Sequence, residues 1–235
     1  MAEIDAQGER VDGVEASQQA AQLDQLLFDD GTITGTAFDH TGLHHTWPAS
    51  RALAQFLRKQ ADEHVKGKRI LEIGAGSGLP SQCCLDLGAE RVIATDQDEQ
   101  VVDKLRSLFS AHAQSTCSTR ATRLDYDDLN MLSELLTEEQ DIDVVLAADV
   151  VYPSKDATPL LDALEALLAE QTANTPRVIL FALTKRDGSL HRAIESALAE
   201  RLAVDLLEID DSESDPLYGK AAVYLYRLTA LARRQ

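Results

Sequence analysis

The sequence is short of positive charge. Its 22 lysines and arginines stand against 40 aspartates and glutamates, a formal charge of −18. Binding to a polyanion needs a concentrated basic face to neutralise phosphates, and none is gathered here, so nucleic acid is disfavoured as a partner. Cysteine is scarce as well. Cys83, Cys84 and Cys117 are odd in number and fit no zinc or CxxC spacing, which suits a reducing compartment rather than a disulfide framework. No apolar run approaches the ~18 residues of a membrane span. The opening MAEIDAQGERVDGVEAS is too acidic and polar for a signal or transit peptide. A cytoplasmic protein is expected, with a nuclear location left open. Metal chemistry has little support: His44 and His45 are adjacent, so they point in different directions, and no third ligand accompanies them.

What is present is enough for one domain. A chain of 235 residues with 44% hydrophobic content can bury a single α/β core, with little left for a second. Residues 1–30 carry eight acids against Arg10, a net −7, so −11 is spread over the remainder. That field attracts basic partners, or serves solubility alone. The expected organisation is an acidic, flexible tail over 1–22 and a single domain over 23–235. Within the domain, LLFDDGTITGTAF predicts a hairpin extension over 26–38 turning at Asp30 and Gly31.

Beyond it, Pro48 sits where a first helical turn tolerates it, and Ala52, Leu53, Phe56 and Leu57 follow at helical spacing. Strand and helix patterns then alternate. Strands are predicted at 69–73, 91–95, a weaker one up to Leu124, 143–148 and 177–183, and helices at 80–87, 99–111, around Leu160–Leu168, and 190–202. Two further strands, 203–209 and 221–228, lack a helix between them and are expected to pair antiparallel. Repeated βα units imply an α/β fold: a doubly wound, mostly parallel, Rossmann-like sheet with a core over 47–229.

The stretch Ile70-Leu-Glu-Ile-Gly-Ala-Gly-Ser-Gly-Leu-Pro80 ends a predicted strand in a glycine-rich turn. Gly74, Gly76 and Gly78 let backbone approach a ligand, and Asp96, closing the next strand, is placed to accept from ribose hydroxyls. A dinucleotide site wants its third glycine five residues after the first, and that position is Leu79. Glu72, two residues before Gly74, is unwelcome to a pyrophosphate but useful to a ligand bearing an ammonium group. S-adenosyl-L-methionine is therefore the expected cofactor, ahead of NAD(P) or a bare structural turn.

Four pieces in order carry a resemblance to a known family: Thr46-Trp-Pro-Ala-Ser50, Leu71-Glu-Ile-Gly-Ala-Gly-Ser-Gly-Leu79, Asp96, and Ala147-Ala-Asp-Val-Val-Tyr152. Over about residues 43–228 the chain resembles the seven-β-strand AdoMet-dependent methyltransferases, and within them the family-16 group that holds many protein-lysine methyltransferases. The resemblance implies seven strands ordered 3-2-1-4-5-7-6 with strand 7 antiparallel. It also implies cofactor contacts from Trp47, from the backbone of Gly74, Ala75 and Gly76, from Asp96 to the ribose, and from Ala148. In Arg123-Leu-Asp-Tyr-Asp-Asp128 a tyrosine stands where the family usually has tryptophan, and Tyr126 is expected to flank the adenine.

Methyl transfer from a sulfonium to an amine is an in-line displacement, so orientation does most of the work. A lysine acceptor must first lose a proton, which at a pKa of ~10.4 costs roughly 4–5 kcal/mol at neutrality. A nearby carboxylate makes that harder. Asp149 and Tyr152, at the carboxyl end of the fourth strand, are thus expected to position the amine rather than deprotonate it, Tyr152 through its ring face. The leading reading is a protein-lysine methyltransferase acting as a monomer on a basic protein site. The alternatives are methylation of a small molecule, a protein N-terminus or a histidine, and a non-catalytic binding module that keeps the fold.

Overall fold

The computed structural model describes residues 43, 45–112, 116–139, 141–151, 157–169, 176–186, 188–215 and 219–231. The expected tail over 1–22 and hairpin over 26–38 lie outside them. A helix α1 (Pro48–Lys59) and a single turn α2 (Ala61–His64) lead into β1 (Arg69–Ile73). There follow α3 (Leu79–Asp86), β2 (Arg91–Asp96), α4 (Glu99–Ala111), β3 (Ser118–Arg123), α5 (Leu129–Glu138) and β4 (Val144–Ala148). The chain continues through α6 (Thr158–Ala169), β5 (Val178–Thr184), α7 (Gly188–Arg201), β6 (Ala203–Asp210), β7 (Ser214–Asp215), β8 (Gly219–Lys220) and β9 (Val223–Thr229).

Seven strands form one sheet in the order β3-β2-β1-β4-β5-β9-β6. The first five run parallel, while β9 lies antiparallel between β5 and β6. That is the order and sense expected. The pairing of β5 with β9, Ile179 opposite Leu228 through Thr184 opposite Val223, closes the sheet with residues far apart in sequence.

Alternation along the central strands divides the core between two faces. Ile70, Val144 and Leu146 pack with Leu53 and Phe56 of α1, Cys84 of α3 and Leu105 of α4. Leu71, Ile73, Val145 and Ala147 face the other way, onto Leu132 and Leu135 of α5, Leu164 of α6 and Ile194 of α7. All five residues of β4 are buried, because helices cover both sides of a central parallel strand. Trimming a wholly buried leucine there, as in Leu146→Ala, costs about 2–5 kcal/mol. Cys83 and Cys84 are buried in this core, as expected of packing residues.

Three pieces escaped the sequence reading, the single turn α2 among them. Helix α5 carries its signal openly: Asp128 caps it by accepting from the Asn130 and Met131 N–H groups, and Leu132, Leu135 and Leu136 repeat at helical spacing. The connection DDSESDPLYGK is not plain loop but contains the small β7–β8 hairpin. Among the described residues no helix is long and apolar enough to cross a membrane, and no cluster of His, Cys, Asp and Glu could hold a metal ion.

Candidate active site

The carboxyl ends of β1, β2 and β4 open on one cleft of about 520 Å³, lined by Trp47, Gly74–Ser77, Asp96, Gln97, Tyr126, Ala148–Val150 and neighbours. The turn after β1 can form because Gly74 adopts φ 60° and Gly78 φ 76°. It is also crowded. A Cβ on Gly74 would lie 2.8 Å from Val150 Cγ1, and one on Gly78 would lie 2.5 Å from Leu105 Cδ2. The glycines therefore bring the loop down onto β4's extension and α3 down onto α4.

Asp96 fastens the loop from β2. Its Oδ2 accepts from the Gly76 N–H and its Oδ1 from the Asp98 N–H, both at 3.0 Å. Burial raises its pKa, and the backbone donors of Asp98, Gly76 and Gln97 oppose that rise. A carboxylate offers about four acceptor positions, so capacity is left for ligand hydroxyls. Beside it, the Ser77 hydroxyl is buried with no protein partner, a polar atom facing a cleft with its bonding capacity unspent.

Glu72 is not brought to the cleft. It is 1% exposed, pointing to the α1/α3 face, where its Oε2 accepts from the Ser81 N–H at 2.9 Å and from the Ser81 hydroxyl. Burial pushes its pKa up to about 8, against the lowering effect of the Ser81 bonds. The carboxyl expected to meet a ligand ammonium instead anchors the first turn of α3.

The opposite wall is built on β4's extension. Asp149 has φ 54°, the only positive φ outside glycine among the described residues. Its side chain is 1% exposed: Oδ1 accepts from the Thr184 N–H at 2.8 Å, and Oδ2 accepts from Thr184 Oγ1 at 2.6 Å and Arg186 Nη2 at 3.1 Å. These bonds hold a left-handed backbone that costs on the order of 1–2 kcal/mol. Its carboxylate is therefore spoken for, where the sequence suggested it would meet an incoming ammonium. Arg186 in turn lies over Trp47, with the guanidinium carbon 5.0 Å from the ring centroid, and His45 meets the same ring edge-on at 5.2 Å. Trp47 occupies the N-cap position of α1, so the helix start sets where the ring sits.

Tyr126 lines the cleft and its hydroxyl donates to the Val150 carbonyl at 2.7 Å, tying the β3–α5 connection to β4's extension. A tryptophan at that position could not make this bond to the same acceptor through a hydroxyl. Of the expected residues, Trp47, Gly74, Ala75, Gly76, Asp96, Tyr126, Ala148 and Asp149 line one cleft. Glu72 stands behind it, and Tyr152 lies outside the described residues. Ser77, Gln97, Thr184 and Arg186 were missed. Ser77 and Gln97 adjoin residues that were singled out, while nothing local to LTKRD announces Arg186 as the partner of a residue 37 positions earlier.

A family model described as "Lysine methyltransferase" matches residues 32–200. The chain belongs to that family. Over 166 residues it is 35% identical to the protein-lysine N-methyltransferase EFM3 of Chaetomium thermophilum, an alignment covering 68% of this chain and 48% of that protein. It is 27% identical over 136 residues to the protein N-terminal and lysine N-methyltransferase EFM7 of Cryptococcus neoformans, covering 56% and 45%. The calmodulin-lysine N-methyltransferase of Arabidopsis thaliana is 29% identical over 157 residues, covering 66% and 49%. The chain spans about half the length of these curated relatives.

Among solved structures, magnesium protoporphyrin IX methyltransferase from Synechocystis, crystallised with SAH, superposes with a TM-score of 0.56 at 12% identity, covering 92% of this chain and 98% of that one. An S-adenosylmethionine-dependent methyltransferase from Clostridium acetobutylicum gives 0.53 at 12% identity, covering 92% and 99%. At such identity the likeness is one of fold.

Proposed function

We propose that this lysine methyltransferase family member is an S-adenosyl-L-methionine-dependent enzyme that methylates a lysine side chain of a protein substrate. The observation that carries the reading is the cleft itself: a glycine loop fastened by Asp96, facing an aromatic wall, in a chain of this family. The residues present fit the cofactor. Asp96 keeps acceptor capacity for ribose hydroxyls, the backbone of Gly74–Gly76 and the unpaired Ser77 hydroxyl would hold the amino-acid portion, and Tyr126 and Leu124 would offer faces to a base.

When bound, the cofactor supplies an electrophilic methyl group. The chain's own contribution is placement. Trp47 and Ala148 would close the cleft around the donor, Tyr126 holds the wall through Val150, and Asp149 fixes the backbone of that wall rather than serving as a base. An acidic protein attracts a basic substrate region, consistent with lysine as the acceptor. Within the same reading, the protein is a cytoplasmic monomer, a single domain over 23–235 preceded by an acidic tail, and it does not act on nucleic acid. Methylation of a protein N-terminus stands as the second reading, favoured by the activity for which the EFM7 relative is named.

The test is labelling of a whole-cell lysate with radioactive AdoMet, using the wild-type chain and Asp96→Ala. One or a few labelled protein bands, lost with Asp96→Ala, are expected. Label confined to RNA or to small molecules would overturn the protein-substrate assignment, and calorimetry showing no AdoMet binding would favour a non-catalytic module. Mass spectrometry of the labelled band separates lysine from N-terminal methylation.

A further inference from the structure

Helix α1 begins without the usual means of fixing a helix start. Its N-cap is Trp47, whose ring cannot accept from the free N–H groups of the first turn, and no side chain caps it. Yet Trp47 and Ser50 both line the cleft, so the way the chain enters α1 shapes one wall of the site. The bond that fixes the entry comes from the helix itself: Arg51 Nη1 donates to the Thr46 carbonyl at 2.5 Å, on the residue just ahead of Trp47. The Trp47 carbonyl accepts from the Ser50 and Arg51 N–H groups at 3.1 and 3.3 Å. The peptide planes on both sides of Trp47 are thereby held, and Pro48 restricts the residue between them to the extended region it occupies, φ −66° and ψ 152°. Arg186 backs the ring, whereas Arg51 fixes the backbone that carries it.

Arg51 is aimed by a residue 162 positions later. Its Nε donates to Glu213 Oε2 at 2.7 Å, and Gln55 Nε2, one turn further along α1, reaches Glu213 Oε1 at 3.4 Å. The Glu213 side chain is 8% exposed and that of Arg51 34%, so water screens this pair less than a surface pair. The two donors sit on one planar guanidinium, which sets the Glu213 carboxylate and the Thr46 carbonyl in a fixed relation. Glu213 stands in the connection between β6 and β9, just ahead of β7. Its carbonyl accepts from the Ala221 N–H at 3.3 Å, and the Lys185 N–H donates to the Ala222 carbonyl at 2.8 Å. Val223, where the connection ends, pairs with Thr184 at the carboxyl end of β5 and with Asp210 at the end of β6. The connection therefore leaves the sheet on the side to which the cleft opens.

We infer that Arg51 and Glu213 are positioning residues for the methyl donor: through the Thr46 carbonyl they set the Trp47 ring in the cleft, although neither side chain lines it. The inference rests on the methyltransferase reading above and adds the β6–β9 connection to the parts that serve the site. A bridge that only fastened this connection to α1 would lower stability when broken and leave the ring where it is. The other end of α1 supplies the comparison. Lys59 Nζ meets Glu208 Oε1 at 2.8 Å and ties the same helix to β6, but it does so about three turns beyond Trp47. Both pairs join α1 to the C-terminal part of the sheet, and the Glu213 pair is the one whose arginine also holds the peptide next to a cleft residue.

The test uses the full chain with Trp47, its sole tryptophan, as reporter. Glu213→Ala is expected to shift the Trp47 emission and to weaken AdoHcy binding, read by calorimetry, about tenfold. Glu213→Gln keeps an oxygen for Arg51 Nε and should recover most of that affinity. Arg51→Lys keeps the charge toward Glu213 but not the two-donor fork, and should behave as Glu213→Ala does. Lys59→Ala, which breaks the other ion pair of the helix, should leave emission and affinity at their wild-type values. Wild-type emission and affinity in both Glu213→Ala and Arg51→Lys, whatever stability they lose in urea, would show a fastening and nothing more, and would overturn the inference. A Lys59→Ala variant that moves Trp47 as far would overturn it too, by making the response general to α1. Should Glu213→Ala fail to fold, Arg51→Lys against Lys59→Ala decides in the same way. A wild-type chain that binds no AdoHcy overturns the methyltransferase reading instead, and the emission comparison still reports on the Trp47 tether by itself.

Discussion

Arg186 and Trp47 face each other across the mouth of the cleft, the guanidinium carbon 5.0 Å from the ring centroid, while the same guanidinium holds the buried Asp149 carboxylate at 3.1 Å. One side chain thus couples the end of β5 to the start of α1 and to the strained turn after β4. Trp47 is also the sole tryptophan of the chain, so its fluorescence reads out this corner alone.

Removing the clamp should be visible by that signal. Arg186→Ala is expected to change the emission of Trp47 and to weaken AdoHcy binding by about tenfold, because a buried carboxylate loses its counter-charge and the aromatic wall its backing. Arg186→Lys should not restore it, since an ammonium cannot present a planar face to the ring while bonding Asp149. An unchanged spectrum with intact binding in Arg186→Ala would show that the clamp is idle.

The strained backbone at Asp149 makes a second prediction. Asp149→Ala should lower stability by about 3–5 kcal/mol in urea unfolding, losing the bonds to Thr184 and Arg186 and leaving a left-handed alanine. Asp149→Gly loses the same bonds but tolerates φ 54°, and should be about 1 kcal/mol less damaging. Equal losses in the two variants would show that strain is absent.

Glu72 predicts a pH dependence. Its pKa is about 8 in the folded chain against 4.5 when exposed, so between those values the folded state holds a proton that the unfolded state has released. Stability from this group is therefore full below 4.5, declines as pH rises toward 8, and changes no further above it. Within that window the slope is on the order of 1.4 kcal/mol per pH unit. Glu72→Gln keeps an acceptor for Ser81 and should lack this decline; parallel wild-type and variant curves would refute the assignment.

The glycine loop tests the coupling between turn and cleft. Gly74→Ala places a Cβ 2.8 Å from Val150 Cγ1 at φ 60° and is expected to reduce AdoHcy affinity about tenfold or more. Adding Val150→Ala relieves the clash but not the backbone conformation, so recovery should be partial. Complete recovery would assign the whole effect to crowding.

The positions of the strands and most helices were legible because each rests on local pattern, whereas the order of strands across the sheet came from the family resemblance: β1 and α4 begin and end where the sequence predicted. The glycine turn, Asp96 and Trp47 were legible because short motifs place them. Glu72 misled because sequence adjacency to the loop does not tell which face of β1 a side chain takes; alternation with Leu71 and Ile73 turns it toward α3. Asp149 and Arg186 could not be paired from sequence, since their contact depends on β4 and β5 lying side by side. Arg51 and Glu213 were invisible as a pair for the same reason: α1 and the β6–β9 connection meet only in the folded chain.

The placement of β9 bears on how the protein can be shortened. The stretch matched by the family model ends at residue 200, and every cleft-lining side chain precedes that point. A fragment cut there would nevertheless keep β5 as a naked margin, with the backbone groups that β9 satisfies left open and Phe181, wholly covered in the intact chain, stripped of Tyr226. The final strands contribute nothing to the cleft lining, yet they cover the edge of β5 that the cleft-bearing residues would otherwise expose.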